Sequence, residues 1–275
     1  MMSRLLLLAA LAVGALPTVV MAQLPPLSAA QAAALERAEI VILGEIHDNP
    51  AHHAGQAAWI RQIAPRAVVF EMLTPEMAAL ANAAGRGDLP GLGARIGWEA
   101  AGWPDFAIYL PIFEALGEAE IIGAAAPRET VRAAFDQGAA AVFGPEAARF
   151  GLADPLPEDQ RTLRREMQFN AHCEAMPMEM MDGMIEAQRL RDAQFAAAAL
   201  DALERTGGPV AVITGNGHAR RDWGMPQVLA RAAPEIDILS VGYVEAPGAR
   251  DDPRFDVTIV TDPAPRQDPC AGLTN

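Results

Sequence analysis

The stretch Ile40-Val41-Ile42-Leu43-Gly44-Glu45-Ile46-His47-Asp48-Asn49-Pro50 decides the fold. Four apolar residues, three of them β-branched, stop at a glycine; a short unbroken apolar run of this kind reads as a strand buried on both faces, as in a parallel sheet. A helix is expected over 51–63, with Asn49 as its N-cap and Pro50 at its first position. Residues 67–70 repeat the apolar run and stop at Glu71. Outward from this strand–helix–strand unit, further strands are expected at 121–126, 210–214, 236–244 and 256–260, the last an edge strand with an alternating pattern. The alternation predicts an α/β fold, a mostly parallel wound sheet flanked by helices. Two stretches exceed ordinary crossovers: 74–116, broken by a Gly-rich run at 85–97, and 128–203, with no convincing strand. They are read together as a smaller helical subdomain over one edge or face of the sheet.

The chain has 275 residues, 51% hydrophobic and 20% charged, enough for one domain with a full core. Its formal charge is −14 and it contains no lysine. Nucleic acid and anionic membrane would repel such a chain, and lysine chemistry is excluded. Residues 1–22 read as a secretory signal: Arg4, an apolar run of about a dozen residues, short of the ~20 that span a bilayer, and Val20-Met21-Ala22 before a cut. The expectation is a periplasmic or secreted protein cleaved near Ala22, with 23–275 as one domain opening on a short helix. In an oxidising compartment Cys173 and Cys270 either pair, closing a loop of about 100 residues, or are unrelated thiols, with Cys173 a metal or haem contact beside His172.

Ligands of an open parallel sheet bind beyond the carboxyl ends of its strands. There the sequence places Gly44-Glu45-Ile46-His47, Glu71, Arg128-Glu129 and Gly215-Asn216-Gly217-His218. Two turns share the form Gly-x-x-His. On neighbouring strands they would set two imidazoles across one crevice, with Glu45 and Glu71 beside them. The set Glu45, His47, Glu71 and His218 suits acid/base catalysis; His47, His218 and Glu45, with His52 from the following helix, suit a divalent metal. Two turn histidines that only brace loops would carry the same pattern.

The helical segment 167–195 is rich in methionine. Met180, Met184, Gln188, Arg191 and Phe195 fall on one face at helical spacing, and Met176 and His172 precede them. A methionine stripe is an adaptable core face in most proteins. Continued into Gln188 and Arg191, it also suits a large flat ligand such as a porphyrin, with Arg191 on a propionate or, alternatively, bridged to Asp192 or Asp201. Of the two tyrosines, Tyr109 and Tyr243, either is a structural hydroxyl or a tyrosinate for haem iron.

The segments LGEIHDNPAHH from Leu43, VVFEM from Val68, GWPDFAIYLPI from Gly102, HCEAMPMEMMDGMIEAQRLRDAQFA from His172 and TGNGHAR from Thr214 together resemble the ChaN-like haem-binding uptake proteins of the Tiki superfamily. The resemblance runs in order over about 39–245. It implies a parallel sheet with flanking helices and a smaller helical domain, and haem binding in bacterial iron acquisition. It matches Gly44, Glu45, His47, Glu71, Gly215 and His218 to the superfamily's site and implies Tyr109 as haem ligand. No cysteine lies near the expected cut, so a lipid anchor does not carry over. Distant relatives, the Tiki proteases and erythromycin esterases, carry similar turns in metal-dependent or histidine-based hydrolysis.

Two functions are therefore expected. One is an exported haem-binding protein, with Tyr109, His172, Met176, Met184, Gln188 and Arg191 as cofactor contacts, a membrane partner for haem transfer and a homodimer. The alternative is a metal-dependent hydrolase using His47, His218 and Glu45 or Glu71. Whether the chain is an enzyme stays open between them, as does a module for another small ligand.

Overall fold

The computed structural model describes residues 24, 26–245, 249, 252–268 and 270–271. The expected export segment, 1–22, lies outside the described residues. No helix among the described residues is long and apolar enough to cross a membrane.

Six strands form one sheet: β1 (Ile40–Glu45), β2 (Ala67–Phe70), β3 (Glu120–Gly123), β4 (Val210–Gly215), β5 (Ile238–Val244) and β6 (Val257–Val260), in the order β3-β2-β4-β1-β5-β6. Every pairing is parallel, as the buried apolar runs require, and β6 is the edge strand expected. β3 and β5 are each shorter than the apolar runs that predict them. The chain moves to one side of the sheet from β1 to β2 and to the other from β4 to β5. The reversal puts the topological switch point between β1 and β4, where the ligand crevice of an open sheet forms.

Side chains alternate across the sheet and divide the core in two. Val41, Leu43, Val68 and Phe70 pack on one face with α1 (Ala29–Arg37), α2 (Pro50–Ile63), α3 (Pro75–Ala84), α4 (Leu92–Ile96), α5 (Trp98–Ala101) and α6 (Phe106–Ala115). Ile40, Ile42, Val69 and Val212 pack on the other with α7 (Arg128–Gln137), α8 (Ala139–Phe143) and α10 (Met181–Thr206). α9 (Glu158–Ala171) lies outside α10. After β4 come the short α11 (Asn216–Ala219) and α12 (Met225–Ala232). The segments 74–116 and 128–203 thus cover opposite faces instead of forming one helical subdomain. Each strand offers apolar side chains to both sides, and one cap would have left a face uncovered.

The helix after β1 starts as expected: Asn49 Oδ1 accepts from Ala51 N and Pro50 opens the first turn. α10 carries ten buried positions, several of them alanines that let it lie close to the sheet, and ends at Gly207 with φ +75°. Cys173 and Cys270 form a disulfide across 97 residues, tying the tail beyond β6 to the loop after α9.

Candidate functional site

The ladder pairs Glu45 with Gly215 directly, so the two Gly-x-x-His turns leave the sheet side by side at the switch point. Both glycines are required by close approach. A Cβ on Gly44 would stand 2.5 Å from Asn216 Oδ1, and one on Gly215 would stand 2.8 Å from His47 Nε2. The imidazole of the first turn therefore lies over the backbone of the second.

Glu45 is 1% exposed and is the hub of the first group. Its Oε1 takes His47 Nδ1 at 2.7 Å and accepts from the Tyr109 hydroxyl at 2.8 Å. His53 Nδ1 stands 3.2 Å from Oε2, close enough for charge to act though off the hydrogen-bonding direction. Burial opposes the Glu45 charge, but the contacts to His47 and His53 outweigh it and hold the carboxyl down to about 2. Burial likewise opposes the His47 cation; the Glu45 bond and the Glu71 charge overcome it, and its pKa is raised. His47 reaches solvent with 31% of its side chain and has the Trp103 ring 4.9 Å away. Trp103 in turn lines a cleft of about 960 Å³ with Trp98, Phe106 and Leu110.

The second group is deeper. Glu71 Oε2 accepts from Thr214 Oγ1 and Gly215 N, both at 2.7 Å, which fixes the carboxylate across the β2–β4 junction. Its Oε1 lies 3.6 Å from His218 Nε2, while His218 Nδ1 meets Asp192 Oδ1 at 2.7 Å. Burial works against the Glu71 charge, yet His218 and His47 hold its pKa below the usual range. Burial also works against the His218 cation, but Glu71 and Asp192 raise its pKa. Burial pushes Asp192 up. The ring edge of Phe195 closes the side of His218. Two carboxylate–histidine dyads thus meet over Gly215, with a third carboxylate behind the inner one.

His52, expected as a metal ligand, does not join them. Its Nδ1 accepts from Ile46 N at 2.9 Å and its Nε2 bonds Thr261 Oγ1 at 2.8 Å. Burial drives its pKa down to about 4. His53 takes the inward place instead, bonded to the His47 carbonyl and Gln56. Adjacent helical residues diverge by about 100°, so one of the pair had to turn away. Among the described residues no three His, Cys, Asp or Glu side chains surround a common point. The metal set of His47, His218, Glu45 and His52 is therefore not assembled. The inner nitrogens bond carboxylates, and His52 is spent on the fold.

Tyr109 takes the place of a structural hydroxyl, one of the two readings its sequence allowed. It is fully buried, with its hydroxyl on Glu45 Oε1 and the His47 carbonyl and its ring 3.9 Å from His53. Burial and the Glu45 charge raise its pKa far above the tyrosine range. Such a hydroxyl is a donor to Glu45. Tyr243 is 2% exposed.

The methionine segment is more open. Met167, Met178 and Met180 are exposed; Met176, Met184, Gln188 and Arg191 are half-buried; Phe195 belongs to the core. Arg191 bridges to neither Asp192, which holds His218, nor Asp201, which pairs with Arg205, and meets no carboxylate within 4 Å among the described residues. His172 Nδ1 donates to the Gln168 carbonyl at 2.7 Å, leaving Nε2 without a hydrogen-bond partner among the described residues. Asp192 as partner of His218 was not read from sequence; it sits 26 residues away in the chain, on a helix otherwise read as a ligand wall.

Residues 31–229 match the family described as haem-binding uptake, Tiki superfamily, ChaN. The chain belongs to this family. Among solved structures it is similar to ChaN of Campylobacter jejuni, described for cofacial haem binding, at 18% identity over 82% of this chain and 89% of that one, with a TM-score of 0.57. A mutant erythromycin esterase in its open conformation matches at 14% identity over 84% and 78% of the two chains, with a TM-score of 0.44. No curated protein matches in sequence.

Proposed function

We propose that this protein binds haem on the methionine-rich face of α9 and α10 and serves bacterial haem or iron acquisition after export. Membership of the haem-binding family carries the reading. The chain's own residues fit such a group. His172 Nε2, without a hydrogen-bond partner among the described residues, would hold the iron, its other nitrogen fixed by the Gln168 carbonyl as for a ring-oriented metal-binding histidine. Exposed Met167, Met178 and Met180 offer a soft apolar surface, and Arg191 is a cation without a partner for a propionate. The iron ligand differs from the family's tyrosine, because Tyr109 is consumed by Glu45. Hemin titrated into the mature protein gives a saturable Soret band. His172→Ala shifts it and Tyr109→Phe does not. No Soret change at micromolar hemin overturns the reading.

One observation favours a second reading. The dyads Glu45–His47 and Glu71–His218 converge over Gly215, an arrangement that haem binding alone does not need and that suits acid/base hydrolysis. Here His47, the more exposed imidazole, would handle the proton of an attacking water. Hydrolysis of p-nitrophenyl esters, lost in both His47→Ala and His218→Ala, supports it; no turnover above buffer removes it.

A further inference from the structure

Arg164, on α9, is 6% exposed, and the ion pairs around it leave it out. Arg189 bonds Glu186 and three backbone carbonyls, Arg231 pairs with Asp154, Arg220 grips Asp222 with two bonds of 2.6 Å, and Asp192 is held by His218. Arg164 has no carboxylate within 4 Å among the described residues. Its Nη2 donates to the Trp223 carbonyl at 3.2 Å, its guanidinium lies 5.1 Å from the Trp223 ring, and its Nε is buried with no partner. A buried guanidinium without a direct carboxylate partner is costly to maintain. Burial holds its pKa down to about 10.

The space beside it explains the arrangement. Arg164, Asp192 and Trp223 line both an outer cleft of about 460 Å³ and an inner cavity of about 60 Å³ that runs under Gly217. The outer cleft has apolar walls at Phe150, Leu152, Leu156 and Val228, with the paired Arg189, Arg231 and Asp154 also on its lining, and lies between the α8–α9 connection and α12. Asp192 acts on Arg164 through space but does not touch it, so the cleft holds a guanidinium with an unused buried donor beside apolar side chains. We propose that this cleft is a binding site for an organic monocarboxylate, its carboxylate on the Arg164 guanidinium and its apolar body against Leu152, Leu156 and Val228. The one guanidinium with a spare donor suits one carboxylate, and the apolar side chains select an apolar body over a free inorganic anion. Arg164 borders Asp192, so the occupied cleft abuts the Asp192–His218–Glu71 chain from the side opposite His47. The proposal stands apart from haem binding.

Octanoate, octanamide and inorganic phosphate are titrated into the disulfide-intact protein by calorimetry, with tryptophan emission as a second readout. Octanoate binds saturably and changes Trp223 emission, a change that Trp223→Phe removes; octanamide and phosphate bind about ten-fold more weakly or worse. Arg164→Gln weakens octanoate by a similar factor and brings it level with octanamide. Val228→Trp, which fills the slot and keeps Arg164, abolishes octanoate binding and keeps the test decisive should Arg164→Gln fail to fold. Absence of saturable octanoate binding, equal binding of octanamide or phosphate, or unchanged binding by either variant overturns the proposal.

Discussion

The turns ending in His47 and His218 have the same length and the same glycine hinge, and they leave adjacent strands one residue out of step. Their surroundings differ. His47 lies at the surface against Trp103 and shares its carboxylate with Tyr109 and His53. His218 is 5% exposed, bonded to Asp192 through Nδ1, with the Glu71 charge 3.6 Å from Nε2. A four-residue motif sets where an imidazole leaves the sheet. What that imidazole does depends on residues brought from 26 positions away on α10 and from the ends of β2 and α6. The outer histidine meets solvent, and the inner one is enclosed among carboxylates.

The largest effect that separates them is on stability. Asp192→Ala leaves the His218 Nδ1 proton buried without an acceptor and costs about 3–5 kcal/mol. His47→Ala costs about 1–3 kcal/mol, because Glu45 keeps Tyr109 and His53. Urea melts of both variants check the order. Equal losses would mean that the two dyads are equivalent after all.

Next is the acid limb of stability. Glu45 titrates near 2 when folded, below its ordinary value, so its contribution is full above about 4.5 and is lost as pH falls toward 2, about 3 kcal/mol in all. Glu71, also lowered, adds to the same limb. His52, lowered to about 4, costs stability as pH falls from about 6.5, since the unfolded chain protonates first. His47 and His218, both raised, contribute fully below about 6.5 and lose that contribution as pH rises through their folded values. Stability therefore peaks near the ordinary histidine range, and urea midpoints from pH 3 to 9 trace it. A flat profile down to pH 3 would break the reading of Glu45 as a buried charged hub.

Tyr109→Phe sharpens the outer half of the comparison. It removes one donor to Glu45 and costs about 1–2 kcal/mol in thermal denaturation, while the hemin Soret band keeps its position. A moved band would return Tyr109 to the iron and require the outer group to open.

Much of this was legible in the sequence because it is written locally. The apolar run of residues 40–43, its glycine stop and the Asn49-Pro50 helix start specify the first strand–helix unit, and the same signature recurs at 67–70 and 210–214. The convergence of Glu45, His47, Glu71 and His218 followed from one rule about strand ends. What failed was what depends on rotation and partner choice. His52 and His53 are indistinguishable in sequence until helix phase decides which faces Glu45. Tyr109 reads as a ligand or a core hydroxyl until burial settles it. The helical stretches 74–116 and 128–203 read as one appendage because nothing in a strand's composition says which helix covers which face. Asp192 looked like the polar end of a methionine stripe; only the fold brings it to His218.

The smallest effect is also the most specific to the pair. Arg191 is half-buried, unpaired among the described residues, and its charge lowers the His218 pKa. Arg191→Gln removes that repulsion, so the His218 pKa rises further while that of His47, on the far side of Glu71, stays put. Stability changes by no more than about 0.5 kcal/mol, since no buried bond is broken. Ring-proton titration of the histidines by NMR reads both values in one sample. If His47 moves as much as His218, the field at the switch point is shared and the inner and outer groups titrate as one unit. If only His218 moves, the inner dyad responds to α10 alone. A propionate that neutralised Arg191 would then raise the His218 pKa in the same direction, which links occupancy of the methionine face to the charge held beneath it.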